Sequence, residues 1–589
     1  MINKLSIISD NTILLTTFHG LFAVIPTHLP RLIITMLARP QNASQQIRPI
    51  RVAIVEDNAT ARTNLRSHLM GLGNFEVASY SNGNELRNGL RLNNFDLVLM
   101  DFHLGQSKNG VEWINLLLER DLFKPSMGLV FVTSDGMPQT IGQILDLHPD
   151  FILIKPYTIK SLSVNLSHYL NLRRETLPIL QLMSQNTNEQ ALTLLDEKLA
   201  RNVNKRFTND FLKLKGRLLI AEKQYPQAIA LYSDVLKKSS SVLWAHWGLI
   251  KSEFFTGQWQ QCQNMLNHLV TESLTKDKAF EWLASVAIGK QEYREAEILL
   301  DNIKESDLTM QATRLKVLSF NMQDKHEHAQ ILLEKKIQNN LSVKDRMSEY
   351  SLELARFHIQ MAETVIEGKN DQKQSLKFEE KAANLTTARK LIGRASRTAN
   401  DRHWELQKDY MLALAYIIED DKVRAQQLVE KTASINLAQN AKAATMVDAV
   451  KVFFGIGQPD KANEILQDCD EYLLQHDNHI ERIVCSDMIS DIEATQHLQK
   501  DRALQSNDKG NILYQSKEFV QALSCFCKAY KMFPGIPAFS LNLLQCMADL
   551  AQYEFQGILA QSVFTELQSV TLSKKNQVRL GHIKIKLGF

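Results

Sequence analysis

The chain has 589 residues, more than one hydrophobic core usually holds, which predicts several domains or a repeat array. Lys and Arg exceed Asp and Glu by only 68 − 65 = 3, so the net charge gives no general preference for nucleic acid. The six cysteines form no C-x-x-C pair and no Cys/His cluster at zinc spacing. Their pattern favours reduced, buried thiols in a cytoplasmic protein.

The first 48 residues differ in composition from the rest of the chain. Residues 14–38 are apolar and come after Lys4, which raises the alternative of a signal peptide or membrane anchor. Pro26, Pro30 and Arg31 interrupt this stretch, however, and a spanning helix needs about twenty mainly apolar residues. We therefore expect a poorly ordered extension, or an upstream start that is not used, and no membrane insertion.

Four short apolar segments between residues 51 and 156 each end in polar residues. They are Ile54-Val55-Glu56-Asp57, Leu97-Val98-Leu99-Met100-Asp101, Phe131-Val132-Thr133-Ser134 and Ile152-Leu153-Ile154-Lys155-Pro156. Such runs are typical of parallel strands buried on both faces of a sheet, and the ends of these strands meet at one edge. A further strand at residues 77–80 and helical segments at 59–72, 83–92, 110–120, 140–147 and 161–172 alternate with them. The alternation predicts a doubly wound α/β domain with a five-stranded parallel sheet.

The polar residues at these strand ends form a set suited to phosphoryl chemistry. They comprise three carboxylates, one hydroxyl and one ammonium: Glu56, Asp57, Asp101, Thr133 and Lys155. Clustered carboxylates repel each other, so the arrangement predicts a hard divalent cation such as Mg²⁺ among them. A carboxylate beside Mg²⁺ can attack a phosphoryl group, while the hydroxyl and the ammonium interact with its oxygens. The expected product is an aspartyl phosphate.

In order and spacing, these residues resemble the receiver domain of two-component response regulators. The resemblance covers about residues 50–172 and implies a flavodoxin-like fold with a sensor histidine kinase or phosphotransfer protein as phosphodonor. By this resemblance Asp101 is the phosphoacceptor, Thr133 is the switch hydroxyl and Lys155 contacts the phosphoryl group. The Mg²⁺ ligands that it implies are Glu56, Asp57, Asp101 and the backbone carbonyl of His103. The His103 side chain either lies near an attacking water or is a solvated loop residue.

Two features depart from the receiver pattern. The family usually has Met-Pro or Leu-Pro after the phosphoacceptor, whereas Leu104-Gly105 stands here and Gly110 comes one residue late. Receivers also tend to place Tyr or Phe three residues before the lysine, where this chain has Ile152 preceded by Phe151. We expect phosphorylation to be transmitted differently, or poorly, in this protein.

From about residue 177 the strand pattern gives way to helical segments with an internal repeat. Tyr225-x-x-Ala228, Trp259-x-x-Cys262, Tyr293-x-x-Ala296 and His326-x-x-Ala329 recur at steps of 34, 34 and 33 residues. This is the period of tetratricopeptide repeats, in which a small residue lets two antiparallel helices approach. The prediction is an all-α tetratricopeptide solenoid over residues 173–589, clearest at 209–340 and 503–536, with a generic helical bundle as the alternative. Residues 341–400 do not fit the repeat.

The helical region shows no sequence motif of an enzyme or a DNA-binding module. It lacks a phosphate-binding Gly-rich loop, a nucleophile elbow and a recognisable helix-turn-helix. In layout the chain resembles VieB-type bacterial regulators, with an extension at 1–48, a receiver at 49–172 and the solenoid beyond. We expect a response regulator of a phosphorelay, not an enzyme, that controls protein–protein interaction with an unknown partner. Two alternatives stay open: the solenoid inhibits or dephosphorylates another receiver or inhibits a kinase, or the receiver serves only as a phosphate sink.

Overall fold

The computed structural model describes residues 12–13, 48–105, 108–201, 205–364, 371–396, 402–475, 478–532, 536–556 and 558–589. Its contacts divide the chain into two compact units, Met1–Asn400 and Asp401–Phe589. The predictions for an extension or anchor in the first 47 residues lie outside the described residues, apart from Thr12–Ile13. Among the described helices, none combines the length and apolarity that crossing a membrane requires.

A five-stranded parallel sheet begins the first unit, as the sequence predicted. Its strands are β1 (Ile50–Val55), β2 (Phe75–Tyr80), β3 (Leu97–Met100), β4 (Gly128–Thr133) and β5 (Phe151–Ile154). Their order in the sheet is β5-β4-β3-β1-β2, and the short segment Thr12–Ile13 pairs antiparallel with β5. The helices between and after the strands are α1 (Ala59–Leu72), α2 (Gly83–Leu92), α3 (Gly110–Glu119), α4 (Pro138–Asp146) and α5 (Ile159–Ser184).

Helices cover both faces of this sheet. Helices α1 and α5 pack on one face through a buried cluster that includes Leu65, Leu69, Leu162 and Leu166. Helices α2, α3 and α4 pack on the other face through a cluster that includes Leu86, Trp113, Ile114 and Ile141. Strands β3, β4 and β5 are covered on both faces and are apolar except for Thr133 at the end of β4. Strands β1 and β2 also carry Arg51, Glu76 and Ser79, which are exposed or half-buried.

Helix α5 is longer than the sequence indicated. The charged run Arg173-Arg174-Glu175 predicted an end near residue 172, but the helix continues without a break to Ser184, so that prediction is wrong. The reason is that the charges have partners: Arg173 Nη2 donates to the carbonyl of Ser126 at 2.5 Å, and Lys198 binds Glu175 at 3.1 Å. One helix therefore joins the sheet domain to the helical region.

The rest of the chain consists mainly of helices joined in antiparallel pairs. In the first unit these are α6 (Asn188–Arg201), α7 (Thr208–Ala221), α8 (Tyr225–Lys238), α9 (Leu243–Phe255), α10 (Trp259–Leu269), α11 (Lys276–Gly289), α12 (Tyr293–Asp301), α13 (Met310–Asn321), α14 (His326–Asn339), α15 (Lys344–Thr364) and α16 (Asp371–Ser396), with a 3₁₀ turn at Lys205–Phe207. The second unit contains α17 (Arg402–Ile418), α18 (Lys422–Thr432), α19 (Leu437–Asn440), α20 (Ala443–Gly455), α21 (Pro459–Gln475), α22 (His479–Gln515), α23 (Phe519–Met532), α24 (Pro537–Asp549), α25 (Ala560–Gln568) and α26 (Lys574–Leu587). A short hairpin, β6 (Glu554–Phe555) and β7 (Ile558–Leu559), precedes α25. Residues 341–400, which fit no repeat, contain the two long helices α15 and α16.

The same turn joins the two helices of most pairs. A residue with positive φ stands two positions before the second helix: Asn186, Lys223, Gly257, Gln291 and Asp324 in the first unit, and Asp420, Gly457 and Lys517 in the second. The next backbone N–H closes a bond to a carbonyl five residues back, as from Gln224 to Leu219 and from Gln258 to Glu253. This is the hydrogen-bond pattern of a Schellman turn, which satisfies carbonyls at a helix end. The repeat in the sequence is therefore accompanied by a repeated turn in the structure.

The small residues that define the repeat lie at helix crossings. Ala228, Cys262, Ala296 and Ala329 are all completely buried near the start of α8, α10, α12 and α14. Tyr232 packs between Gly216 and Gly248, on the helices before and after its own. Within the second unit, a side chain at Gly510 would lie 2.7 Å from the ring of Phe526. Close backbone approach at glycine and alanine explains why these positions are small.

Candidate functional site

Three carboxylates meet at the carboxyl edge of the sheet. Glu56 and Asp57 come after β1 and Asp101 after β3, and one oxygen from each lies within 4.8 Å of the others. Glu56 and Asp101 are buried, whereas Asp57 is exposed. Backbone bonds fix the two buried residues, since Glu56 N donates to Tyr80 O and Asp101 N to Val55 O. The backbone of the sheet thus positions both buried carboxylates.

Lys155 links two of these carboxylates. Its Nζ donates to Glu56 Oε2 at 2.5 Å and to Asp101 Oδ2 at 2.8 Å. Burial alone would lower the pKa of Lys155, but the hydrogen bonds to Asp101 and Glu56 outweigh it and raise that pKa. Burial raises the pKa of Glu56, although Lys155 opposes this. Three carboxylates and one ammonium give these four side chains a formal net charge of −2. This charge fits a divalent cation with oxygen ligands.

Thr133 lies beside this group at the end of β4 and is fully buried. Its Oγ1 accepts a hydrogen bond from Asp135 N at 3.0 Å, so the hydroxyl hydrogen is left for another acceptor. The chain of contacts continues into α4, because Asp135 Oδ2 accepts from Thr140 Oγ1 at 2.7 Å. His103 Nε2 also lies 3.3 Å from Asp135 Oδ2. Asp135 therefore connects the loop after β3, the end of β4 and the start of α4.

Asp135 was missed by sequence reasoning. Burial would raise its pKa, but the hydrogen bonds from Thr140, the Met137 amide and His103 lower it. A single aspartate in a loop has no distinctive sequence signal. Its position three residues before the helix and five before Thr140 is the one local clue, since aspartate in such a turn accepts backbone N–H groups.

The start of α3 packs directly on the backbone of Asp101. A Cβ at Gly110 would overlap the carbonyl oxygen of Asp101 and lie 2.8 Å from Met100 Cγ. A capping box begins helix α3. Glu112 N donates to Asn109 Oδ1 at 2.9 Å, and Asn109 N donates to Glu112 Oε2 at 2.8 Å. The late glycine noted in the sequence is thus the residue that brings α3 against Asp101.

Two residues shortly before Lys155, Phe151 and Ile152, stand where the sequence departs from the receiver pattern. Both lie in the core. Ile152 is fully buried among the residues that pack α2, α3 and α4 on the sheet. Phe151 faces the opposite way and is buried with residues of α1 and α5. Neither position supplies an aromatic ring at the carboxylate edge.

Comparison with known proteins identifies the sheet domain. Residues 52–167 match the family model of the response regulator receiver domain. This segment is a receiver domain. Among curated proteins, none matches the chain. The match and the helical pairs at a period of 33–34 residues together make the chain a fusion of a receiver with tetratricopeptide-type repeats.

Similar solved structures include both kinds of domain. The BeF3-activated receiver domain of DrrB is 19% identical and covers 21% of this chain and 98% of its own, with a TM-score of 0.19. A tetratricopeptide repeat protein from Parabacteroides merdae is 11% identical and covers 54% and 98%, with a TM-score of 0.31. One chain of the APC/C hetero-tetramer Cut9-Hcn1 is 11% identical; the match covers 70% of this chain and 89% of that one, with a TM-score of 0.23.

Proposed function

We propose that this protein is a response regulator whose receiver accepts a phosphoryl group on Asp101 and controls protein–protein interaction of the helical repeats. The observation that supports the acceptor role most strongly is the pair of hydrogen bonds from Lys155 Nζ to Asp101 and Glu56. They place an ammonium within hydrogen-bond reach of the carboxylate that would carry the phosphoryl group. The donor would be a sensor histidine kinase or a phosphotransfer protein.

The proposed reaction moves a phosphoryl group from an imidazole nitrogen to Asp101. A carboxylate oxygen of Asp101 forms the new O–P bond as the N–P bond of the donor breaks, and the leaving imidazole nitrogen takes up a proton. Lys155 can then shift from the Asp101 carboxylate to a phosphoryl oxygen, and Thr133 can donate its hydroxyl hydrogen to another. Both side chains are already held in place, by Glu56 and by the Asp135 amide respectively.

The residues present fit a magnesium ion. Glu56, Asp57 and Asp101 would hold it with the backbone carbonyl of His103, because all four offer hard oxygen ligands and the exposed Asp57 is open to water. When bound, Mg²⁺ would neutralise charge that builds up on the phosphoryl oxygens.

Phosphate labelling tests the acceptor. The full-length protein should take label from acetyl phosphate or a cognate kinase in Mg²⁺, and chelation with EDTA should remove labelling because the carboxylates then repel the donor. Asp101→Asn should lower labelling to background, while Asp121→Asn, an exposed aspartate just after α3, should label as the wild type does. Label that survives in Asp101→Asn would mean another acceptor, and no label in the wild type would refute the proposal.

A further inference from the structure

A groove separates helices α25 and α26 of the second unit. Both helices pack on α24 through one buried cluster, which includes Leu543, Phe564 and Ile583. Between them they leave a groove of about 250 Å³. Its floor consists of buried side chains of the same cluster, Leu567 and Leu580 among them. The groove is therefore an opening onto the hydrophobic core.

Helix α26 turns one polar stripe toward this groove. Gln577, Gly581 and Lys584 line the groove, and Lys574 stands on the same face of the helix, three residues before Gln577. Lys574 and Lys584 are both exposed. Ten helical residues separate them, which corresponds to about 15 Å along the axis. A lysine therefore stands at each end of the stripe.

Gly581, in the middle of the stripe, leaves space for a side chain from another molecule. At other helix crossings a large side chain covers the glycine, as Phe526 covers Gly510 and Ile417 covers Gly455. A Cβ at Gly581 would instead meet no atom of the described residues within 4 Å. Glycine permits the same close approach here, and the apolar floor of the groove suits a large apolar side chain.

Apolar side chains also surround the groove on its exposed side. Val578 is 60% exposed and Ile585 is 79% exposed, and each follows a residue that lines the groove. Val570, in the loop between α25 and α26, lines the groove and is 41% exposed. Exposed apolar residues clustered in this way are typical of a protein interaction site.

The local charge is almost entirely positive. Residues 560–589 contain five basic residues and one acidic residue. That acidic residue, Glu566, accepts a hydrogen bond from Tyr530 Oη at 2.6 Å. Asp549 at the end of α24 accepts from Lys586 Nζ, also at 2.6 Å. The carboxylates of α24 and α25 are thus already engaged.

Three cations of α26 are exposed without an acidic partner. They are Lys574, Lys575 and Lys584, and none forms a salt bridge with a carboxylate of the described residues. Because carboxylates are scarce here and cations are not, the groove selects a ligand that carries carboxylates beside apolar groups.

We propose that the groove between α25 and α26 binds an amphipathic helix of a partner protein, with a large apolar side chain over Gly581 and carboxylates on Lys574 and Lys584. A helix of about ten residues spans the distance between the two lysines. A bilayer surface is flat and does not follow the groove to its floor, and a nucleic-acid backbone offers phosphates but no apolar side chain. The site lies within the second unit, so the proposal does not depend on phosphorylation of Asp101.

Two substitutions test the apolar and the charged part of the site separately. Gly581→Leu places a side chain in the groove and should not destabilise α26, because the position is open and leucine favours a helix more than glycine does. Gly393→Leu is the matched control, since a Cβ at this helical glycine also meets no atom within 4 Å. Lys584→Glu reverses a charge on the groove. Lys528→Glu, at an exposed lysine of α23 that does not line the groove, is its control.

The probe is a fluorescein-labelled helical peptide of about 18 residues, made of alanine, glutamate and a single face of leucine, titrated into the full-length protein. We expect Gly581→Leu to bind it on the order of tenfold more weakly than the wild type, and Gly393→Leu to bind it equally well. Lys584→Glu should weaken binding of this peptide and strengthen binding of an analogue with lysine in place of glutamate, whereas Lys528→Glu should do neither. Bound peptide should slow hydrogen exchange of residues 574–587.

Equal affinity of the wild type and Gly581→Leu, or no binding by the wild type at millimolar peptide, would overturn the proposal. Should Gly581→Leu unfold α26, the exchange of peptide preference at Lys584 decides alone. Tighter binding of phosphatidylglycerol vesicles or of single-stranded oligothymidine, lost in Gly581→Leu, would overturn the class of partner. A change from dimer to monomer in Gly581→Leu, measured by ultracentrifugation without peptide, would assign the groove to a second copy of this chain instead.

Discussion

At the scale of single residues, the loop that begins at Asp101 depends on close backbone packing. Gly110 has no room for a side chain, because a Cβ would overlap the Asp101 carbonyl. Gly110→Ala should therefore displace α3 or Asp101 and lower the free energy of unfolding of the receiver by about 1–3 kcal/mol. It should also reduce phosphate labelling.

Gly71 is the matched control for this change. It lies in α1, and a Cβ there would meet no atom within 4 Å. Gly71→Ala should leave labelling unchanged and stability equal or slightly higher, because alanine favours a helix more than glycine does. Phosphate labelling measures the effect on phosphorylation. Hydrogen exchange of the receiver strands during thermal unfolding measures the effect on stability. Equal labelling and equal stability of Gly110→Ala and Gly71→Ala would contradict the role given to close packing at Gly110.

The strand-end residues were predictable because each comes directly after its own apolar run. The local strand pattern and the order along the chain were enough to place five residues at one edge of the sheet: Glu56, Asp57, Asp101, Thr133 and Lys155. Asp135 and Glu112 were not predictable in this way. Each has a distant partner, His103 for Asp135 and Arg346 for Glu112, and a lone acidic residue in a loop or first turn is ordinary in sequence.

At the scale of elements, the helix pairs depend on small residues at their crossings. A Cβ at Gly248 on α9 would overlap the ring of Tyr232, which is buried between α7, α8 and α9. Gly248→Ala should destabilise this part of the solenoid by about 1–3 kcal/mol, and hydrogen exchange should rise in residues 208–255.

Gly393→Ala serves as the control, since a Cβ at this position of α16 would meet no atom within 4 Å. It should leave exchange in residues 208–255 unchanged. A similar loss of protection in both variants would mean that the crossing at Tyr232 is not what limits stability.

The repeat was predictable where small and aromatic residues recur at a fixed step, as at Ala228 and Ala296. The turns between helices were harder to predict from the sequence, because the residue with positive φ is glycine in two pairs and Lys, Gln, Asp or Asn in the others. The end of α5 was misjudged because Arg173 and Glu175 form a charged run that usually marks a boundary. Their partners, Ser126 and Lys198, become apparent only in the fold.

At the scale of the whole molecule, the receiver belongs to the same compact unit as the first helical repeats. This could not be predicted from sequence, because the pair that shows it best, Glu112 and Arg346, is separated by 234 positions and neither residue is unusual locally. The sequence placed the junction between residues 172 and 173, which lie inside α5. The structure adds contacts through α3 and α4, and these lie nearer to Asp101 and Thr133.

The central claim is that the phosphorylation state of Asp101 controls how the receiver contacts the repeats. Hydrogen exchange of residues 276–289 and 344–364, with and without beryllofluoride and Mg²⁺, tests it most directly in the full-length protein. We predict faster exchange in both segments on addition of beryllofluoride, and no change in Asp101→Asn. Equal exchange in all conditions, in a wild-type protein that accepts label on Asp101, would contradict the claim and leave the receiver as a phosphate sink beside an independent solenoid.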